Sequence, residues 1–231
     1  MDFLLEGVLS AFRILLSGNP ETFSAVLVTV RVTTLSLLAS LVIGAPLGFI
    51  LGHCRFPGRG GVRLVVDTLL SFPTVVIGLV AYAFFTARGP LGDFHLLFTL
   101  SGIAAAQTVL ALPIIMAVTA NAVESLDHRL KITVLTLGAG PWRLALTTLR
   151  EARIALVLAA ATAYGRVVSE VGISMMVGGN IKWHTRTITT AIALETGKGQ
   201  FAQGIALGIV LLLIAFAVNI VLAVIRRRSG R

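Results

Sequence analysis

Histidines 53, 95, 128 and 184 are scattered along the chain, and none belongs to an HExxH motif that would place two metal ligands and a base on one helix face. No pair of aspartates on one helix offers an acid and a base at a common depth, and the lone Cys54 excludes an internal disulfide or a multi-cysteine metal site. A GxxxxGK(S/T) loop, whose amides would cradle phosphate, is missing as well. The sequence thus offers no catalytic set, no metal centre and no cofactor or nucleotide site of its own. The most pointed chemistry left is in GRVVSEVGISMMVGGN, residues 165–180, where Arg166 and Glu170 stand one helical turn apart in an apolar surround. Two readings are open. The pair neutralises itself, which is cheaper in a bilayer than either charge alone, or its helix faces a polar path beside the small residues Ala160, Ala161, Ala163 and Gly165.

The elements around that pair are set by composition. The chain has 231 residues, 56% hydrophobic and 13% charged, and its mean hydropathy is +0.95, which excludes an ordinary soluble domain. Stretches free of Asp, Glu, Lys and Arg at 32–52, 68–87, 96–123 and 199–225 each reach the roughly 20 residues that cross a bilayer as a helix. A fifth block, 154–181, is interrupted only by Arg166 and Glu170 and reads as a span with a polar stripe. The expected fold is all-α and integral to the membrane, with about five transmembrane helices. At the start, Phe3, Leu4, Leu5, Val8, Leu9, Phe12 and Leu15 alternate with Glu6 and Arg13, the pattern of an interfacial amphipathic helix over 1–20 ahead of a transmembrane domain at 21–231.

The net charge of +9 does not signal nucleic acid here, because the placement of charge matters more than its sum. With the C-terminal RRRSGR in the cytoplasm, twelve of the 19 Lys and Arg residues fall inside, five outside, and Arg31 and Arg166 within or near spans. The positive-inside rule therefore predicts an outer N-terminus and a cytoplasmic C-terminus. Span one, 25–52, is expected to end in the turn-rich GAPLGFILGHCRFPGRGG. Span two, 64–86, carries Pro73, and span three, 96–123, carries Gln107 and Pro113, so both are expected to be kinked. Either these prolines serve packing or they leave a cavity between neighbours.

Between spans three and four lies the longest inner segment, 124–153, which reads as helix, break, helix. Asp127 is placed to cap a helix with Leu130, Val134 and Leu137 on one stripe, Gly138 and Gly140 stop it, and Pro141 suits the first turn of the next. Such an element is either a ridge gripped by a partner or an interfacial helix resting on lipid.

Within this segment, residues 127–153 resemble the cytoplasmic EAA loop of ABC importer permeases. Gly138 matches the loop's glycine, and Ala139, Trp142 and Arg143 its G-A-x-x-W-R continuation; Ile132, Thr133 and Val134 replace the Glu-Ala-Ala opening, and Arg150 and Glu151 the Leu-Pro ending. Residues 165–196 are similar to oxyanion importer permeases for molybdate, sulfate and tungstate. Met175 to Asn180 and TLREAR at 148–153 look closest to the tungstate type. The resemblance spans about 25–225 and implies a type I, MetI-like permease fold. Implied with it are a homodimer, a cytoplasmic ABC ATPase dimer, an external binding protein that selects the anion, and plasma-membrane placement.

By the same resemblance, ATPase docking falls to Asp127, Arg129, Leu130, Val134, Leu137, Gly138, Ala139, Gly140, Trp142 and Arg143. Pro73, Gln107, Arg166, Ser169 and Glu170 are assigned to the translocation path. The binding protein is expected on the outer loops 87–95 and 173–200, whose threonines either bond that protein or cap an outer re-entrant helix. A passive anion channel is the rival that composition leaves standing, and it has no use for a docking segment.

Overall fold

Asn19 opens the first long helix: its side-chain oxygen accepts a hydrogen bond from Glu21 N at 3.0 Å, and Pro20 takes the first helical position, where a missing N–H costs nothing. The computed structural model describes residues 8–9, 12–13, 19–126 and 128–229, with the backbone alone at 128–131, 222 and 225–229. The amphipathic reading of 1–20 and the cap assigned to Asp127 lie outside the described residues.

The described helices are α1 (Pro20–His53), α2 (Arg59–Leu70), α3 (Thr74–Phe85), α4 (Leu100–Glu124), α5 (His128–Thr136), α6 (Pro141–Glu151), α7 (Arg153–Val168), α8 (Gly172–Gly178), α9 (Ile188–Gly197) and α10 (Phe201–Ser229). A 3-10 turn occupies Gly92–Phe94 between α3 and α4. Three helices, α1, α4 and α10, are long and apolar enough to cross a membrane, and the number rises to five if the bent pairs α2/α3 and α7/α8 each form one span.

The bends go beyond the expected kinks. The second span is broken, not kinked: α2 and α3 meet at 102° across Ser71 to Pro73, with Pro73 as the cap of α3. The fourth is broken too, at 62°. Pro113, by contrast, sits inside an uninterrupted α4, and Pro46 inside α1, which runs to His53, close to the expected end at 52. A proline deep in a packed helix removes one backbone bond, and neighbouring helices hold the chain in place.

The neighbours are close because α1 presents small residues to α4. Ser36, Ser40, Gly44 and Gly48 are buried at intervals of one turn, and Gly52 continues the row. A Cβ at Gly48 would lie 2.6 Å from Met116 O, and one at Gly52 2.7 Å from Ala120 O, so the two backbones touch. Ser40 adds a hydrogen bond to Thr108 O at 3.3 Å. Lipid tails are as apolar as leucine, so helices in a membrane associate through this kind of close packing.

The main apolar core joins α1, α3, α4 and α8 through Val32, Ile77, Ile103, Leu110, Ile173 and Val177. A second cluster packs Ala111 and Ile115 of α4 on Ala159, Ala163 and Val167 of α7.

Two ion clusters define the ends of the bundle. At the upper end, where α1 begins, Glu21 pairs with Lys182 at 2.7 Å and Arg186 at 2.6 Å. At the lower end, where α1 stops, Arg59 and Arg63 reach Glu124 of α4 at 2.5 and 3.1 Å. Arg59 also donates to Leu51 O at 2.7 Å, so two arginines hold the lower ends of α1, α2 and α4 together.

Candidate functional site

At the lower end the chain builds a ledge from α5 and α6. α5 stops because Gly138 adopts φ +77, a left-handed conformation that costs a residue without Cβ little. Gly138 N donates to Leu135 O at 3.0 Å and Ala139 N to Val134 O at 3.2 Å, the paired bonds of a Schellman ending. Gly140 then caps α6, and Pro141 occupies its first position. α6 buries Leu144 and Thr148 and continues through Ala152 into α7.

The ledge tip is apolar and open. Leu137 is 81% exposed and Trp142 77%, the two highest values among the described large apolar side chains. Leu137 lies one residue past the end of α5 and its N–H still donates to Thr133 O at 3.1 Å; Val134 is half-buried. Gly138, Gly140 and Arg143 are exposed and Ala139 is half-buried. For Arg129 and Leu130 only the backbone is described. Behind the tip, Trp142, Leu146 and Leu149 face Leu41, Pro46 and Phe49 of α1 across an apolar groove of about 430 Å³.

In mid-bundle the structure separates Arg166 from Glu170. α7 ends at Val168, so Glu170 lies beyond the helix on which the pairing depends, and among the described residues no ion pair joins the two. Arg166 is exposed, whereas Glu170 is 4% exposed and its carboxylate accepts from Ile173 N at 3.2 Å, in the first turn of α8. The Glu170 carbonyl takes two more bonds, from Thr189 at 2.9 Å and Ser174 at 3.4 Å. Glu170 therefore fixes the corner between α7 and α8.

Gln107 is buried and donates to Ser174 at 3.1 Å, leaving its carbonyl oxygen without a partner. Of the residues assigned to a path, Gln107 and Glu170 are buried in helix packing. Pro73, Arg166 and Ser169 are the exposed ones.

The upper end is ordered by threonines turned inward. Thr187 caps α9 by accepting from Thr190 N at 3.3 Å, and Thr190 Oγ1 in turn accepts from Thr187 N at 3.0 Å, a reciprocal capping box. Ile188 N donates to Thr29 of α1 at 2.9 Å. Thr185 accepts from Ile181 N at 3.1 Å and donates to Gly178 O, closing the loop between α8 and α9. Of the two readings of these threonines, the structure carries capping. The Glu21, Lys182 and Arg186 cluster is invisible in the sequence, where the basic residues register only as loop charge; the Gly-Gly-Asn turn is the local signal that marks the loop.

Broken apolar spans, touching helix backbones and an apolar-tipped ledge at one end are the features of a polytopic membrane protein. The chain belongs to the family described as binding-protein-dependent transport system inner membrane component, the permease subunits of ABC importers, which it matches over residues 44–231. Among curated relatives, a tungstate uptake system permease protein, TupB, from Campylobacter jejuni is 45% identical, covering 98% of this chain and 95% of that protein. The TupB of Peptoclostridium acidaminophilum is 35% identical over 96% and 97% of the two chains. ModB, a molybdenum transport system permease protein of Escherichia coli, is 31% identical over 92% and 98%. The fold is shared with a chain of the MetNI methionine ABC transporter in an inward-facing conformation, at TM-score 0.76 and 22% identity, covering 91% of this chain and 97% of that one.

Proposed function

We propose that the chain is the permease subunit of an importer for tungstate, working as a homodimer with an ABC ATPase dimer below and an anion-binding protein above. The observation that carries the reading is the 45% identity to a tungstate uptake permease over nearly the whole length of both chains. The lower end is then cytoplasmic, in keeping with the basic residues gathered there.

The ATPase grips the ledge. Leu137 and Trp142 offer apolar side chains to a groove in that partner, and the Schellman turn at Gly138 sets the angle between the helices that carry them. Closure of the ATPase dimer on nucleotide moves the ledge, which is continuous with α7, and the broken spans change their angle at Ser71 to Pro73 and at Ser169 to Val171. The path then alternates between inward-open and outward-open states. Arg166, exposed at the end of α7, supplies a positive charge to a passing oxyanion, and weak transient contact suits transit better than tight binding. Selection of the anion belongs to the delivery protein.

The test is uptake of labelled tungstate into liposomes containing this chain, the ATPase and the binding protein, with molybdate and sulfate as competitors. Uptake that needs all three components and ATP, and that excess molybdate or sulfate does not reduce, is the expected result. Anion flux through this chain alone, indifferent to ATP, overturns the reading in favour of a passive channel.

A further inference from the structure

The groove behind the ledge differs from the close helix contacts around it. It encloses about 430 Å³, and every side chain that lines it is apolar, with Leu41, Ala45, Pro46 and Phe49 on the α1 wall and Leu146 and Leu149 on the α6 wall. It follows α1 from Leu41 to Ile50, about 14 Å at 1.5 Å per residue, close to the roughly 15 Å of hydrocarbon in one leaflet of a bilayer.

The α1 wall does not end with the groove. Leu35, Leu38 and Val42 continue the same stripe upward, and they are 52%, 53% and 73% exposed. The groove therefore opens onto an apolar face that α1 turns to the bilayer. An apolar slot at that depth offers water no partners, and what fills it must be apolar as well.

Its rim is polar. His53 stacks on Phe49 with ring centroids 5.1 Å apart, at the point where α1 stops. On α6, Arg143 and Arg150 follow directly after the groove residues Trp142 and Leu149, so the two arginines share one flank of the helix beside its apolar face. Both are exposed, and neither enters an ion pair among the described residues. Glu151, the acidic residue of α6, lies about 100° further round the helix, away from the groove. Unpaired arginines at the edge of hydrocarbon call for an anion, and the planar guanidinium fork matches phosphate oxygens.

We infer that the groove is a binding site for an anionic phospholipid of the lower leaflet, with one acyl chain lying between α1 and α6 and the headgroup phosphate held by Arg143 and Arg150. The lipid fills the space behind the ledge and so sets how closely α6 approaches α1. The site stands independently of the importer reading and of the anion that is carried.

The probe is phosphatidylglycerol with brominated acyl chains, because bromine quenches the fluorescence of a tryptophan that the chain touches. Trp142 lines the groove, and Trp183→Phe leaves it as the protein's one tryptophan. The permease is placed in phosphatidylcholine nanodiscs with rising fractions of the brominated lipid, and brominated phosphatidylcholine serves as the control. Half-maximal quenching is expected at a fraction of phosphatidylglycerol about fivefold lower than that of phosphatidylcholine. Arg143→Gln combined with Arg150→Gln is expected to abolish this preference, and Ala145→Phe, which fills the groove, to reduce quenching by both lipids. Equal quenching by the two headgroups overturns the site, as does a preference that survives loss of both arginines. Quenching by neither lipid also overturns it, and means that a protein surface such as a second copy covers the groove. Native mass spectrometry of the wild-type chain needs no substitution: phosphatidylglycerol retained in preference to phosphatidylethanolamine is expected, and equal retention counts against the proposal.

Discussion

At the scale of single residues, Glu170 is the side chain whose role changes most between sequence and structure. Its spacing from Arg166 suggests an ion pair, but that inference needs an unbroken helix, and nothing local in VVSEVG forces the chain to stop at Val168. The stop follows from tertiary bonds, Thr189 and Ser174 to the Glu170 carbonyl, that no short stretch of sequence encodes. A buried carboxylate that holds one amide of the next helix has a clear mutational signature. Glu170→Gln keeps an oxygen acceptor and is expected to cost less than about 1 kcal/mol, whereas Glu170→Leu leaves Ile173 N unpaired and costs about 1–3 kcal/mol. Unfolding of the purified permease in detergent separates the two, and equal stability of both variants would remove Glu170 from the corner.

At the scale of elements, the ledge was the most legible part of the chain. Gly138, Gly140 and Pro141 each have a backbone meaning that survives any context: a left-handed ending, a cap and a first helical position. The helix, break, helix pattern is therefore present in the structure as read. The broken spans were less legible, since apolar runs define how far a helix can reach but not where it must fold back. The open space around Gly138 leads to a specific expectation. Gly138→Leu meets no neighbour, so insertion and folding persist, but the left-handed turn is strained by about 1–2 kcal/mol and the ledge is re-aimed. Recovery of the ATPase by affinity purification of the permease is expected to fall several-fold while membrane levels hold; undiminished recovery would argue that docking does not use this turn.

At the scale of the whole molecule, the two ion clusters and the basic lower end make orientation measurable with the native chain. Cys54, the single cysteine, is exposed and lies just past the lower end of α1. A membrane-impermeant maleimide is expected to label it in inverted vesicles and in detergent, and to leave it unlabelled in intact spheroplasts. The reverse pattern would turn the protein over and place the ledge outside. The places of the apolar spans were legible because hydropathy records the thickness of the bilayer, and their number reaches the expected five when each bent pair forms one span. The pairing of α1 with α4 was present in the sequence as Gly44, Gly48 and Gly52, a row whose partner cannot be named until the fold is known.

That row has a mechanical consequence. Where Gly48 and Gly52 bring the backbones of α1 and α4 into contact, neither helix can slide or turn on the other by a fraction of a residue without driving carbonyl oxygens into Cα atoms. The two helices must therefore travel as one rigid body through any change of state. α2 is different: Val66 is its one buried residue, and its lower end is held by side chains long enough to bend. Motion imposed at the ledge is thus shed into the broken spans, and the glycine seam serves as the fixed frame against which they move.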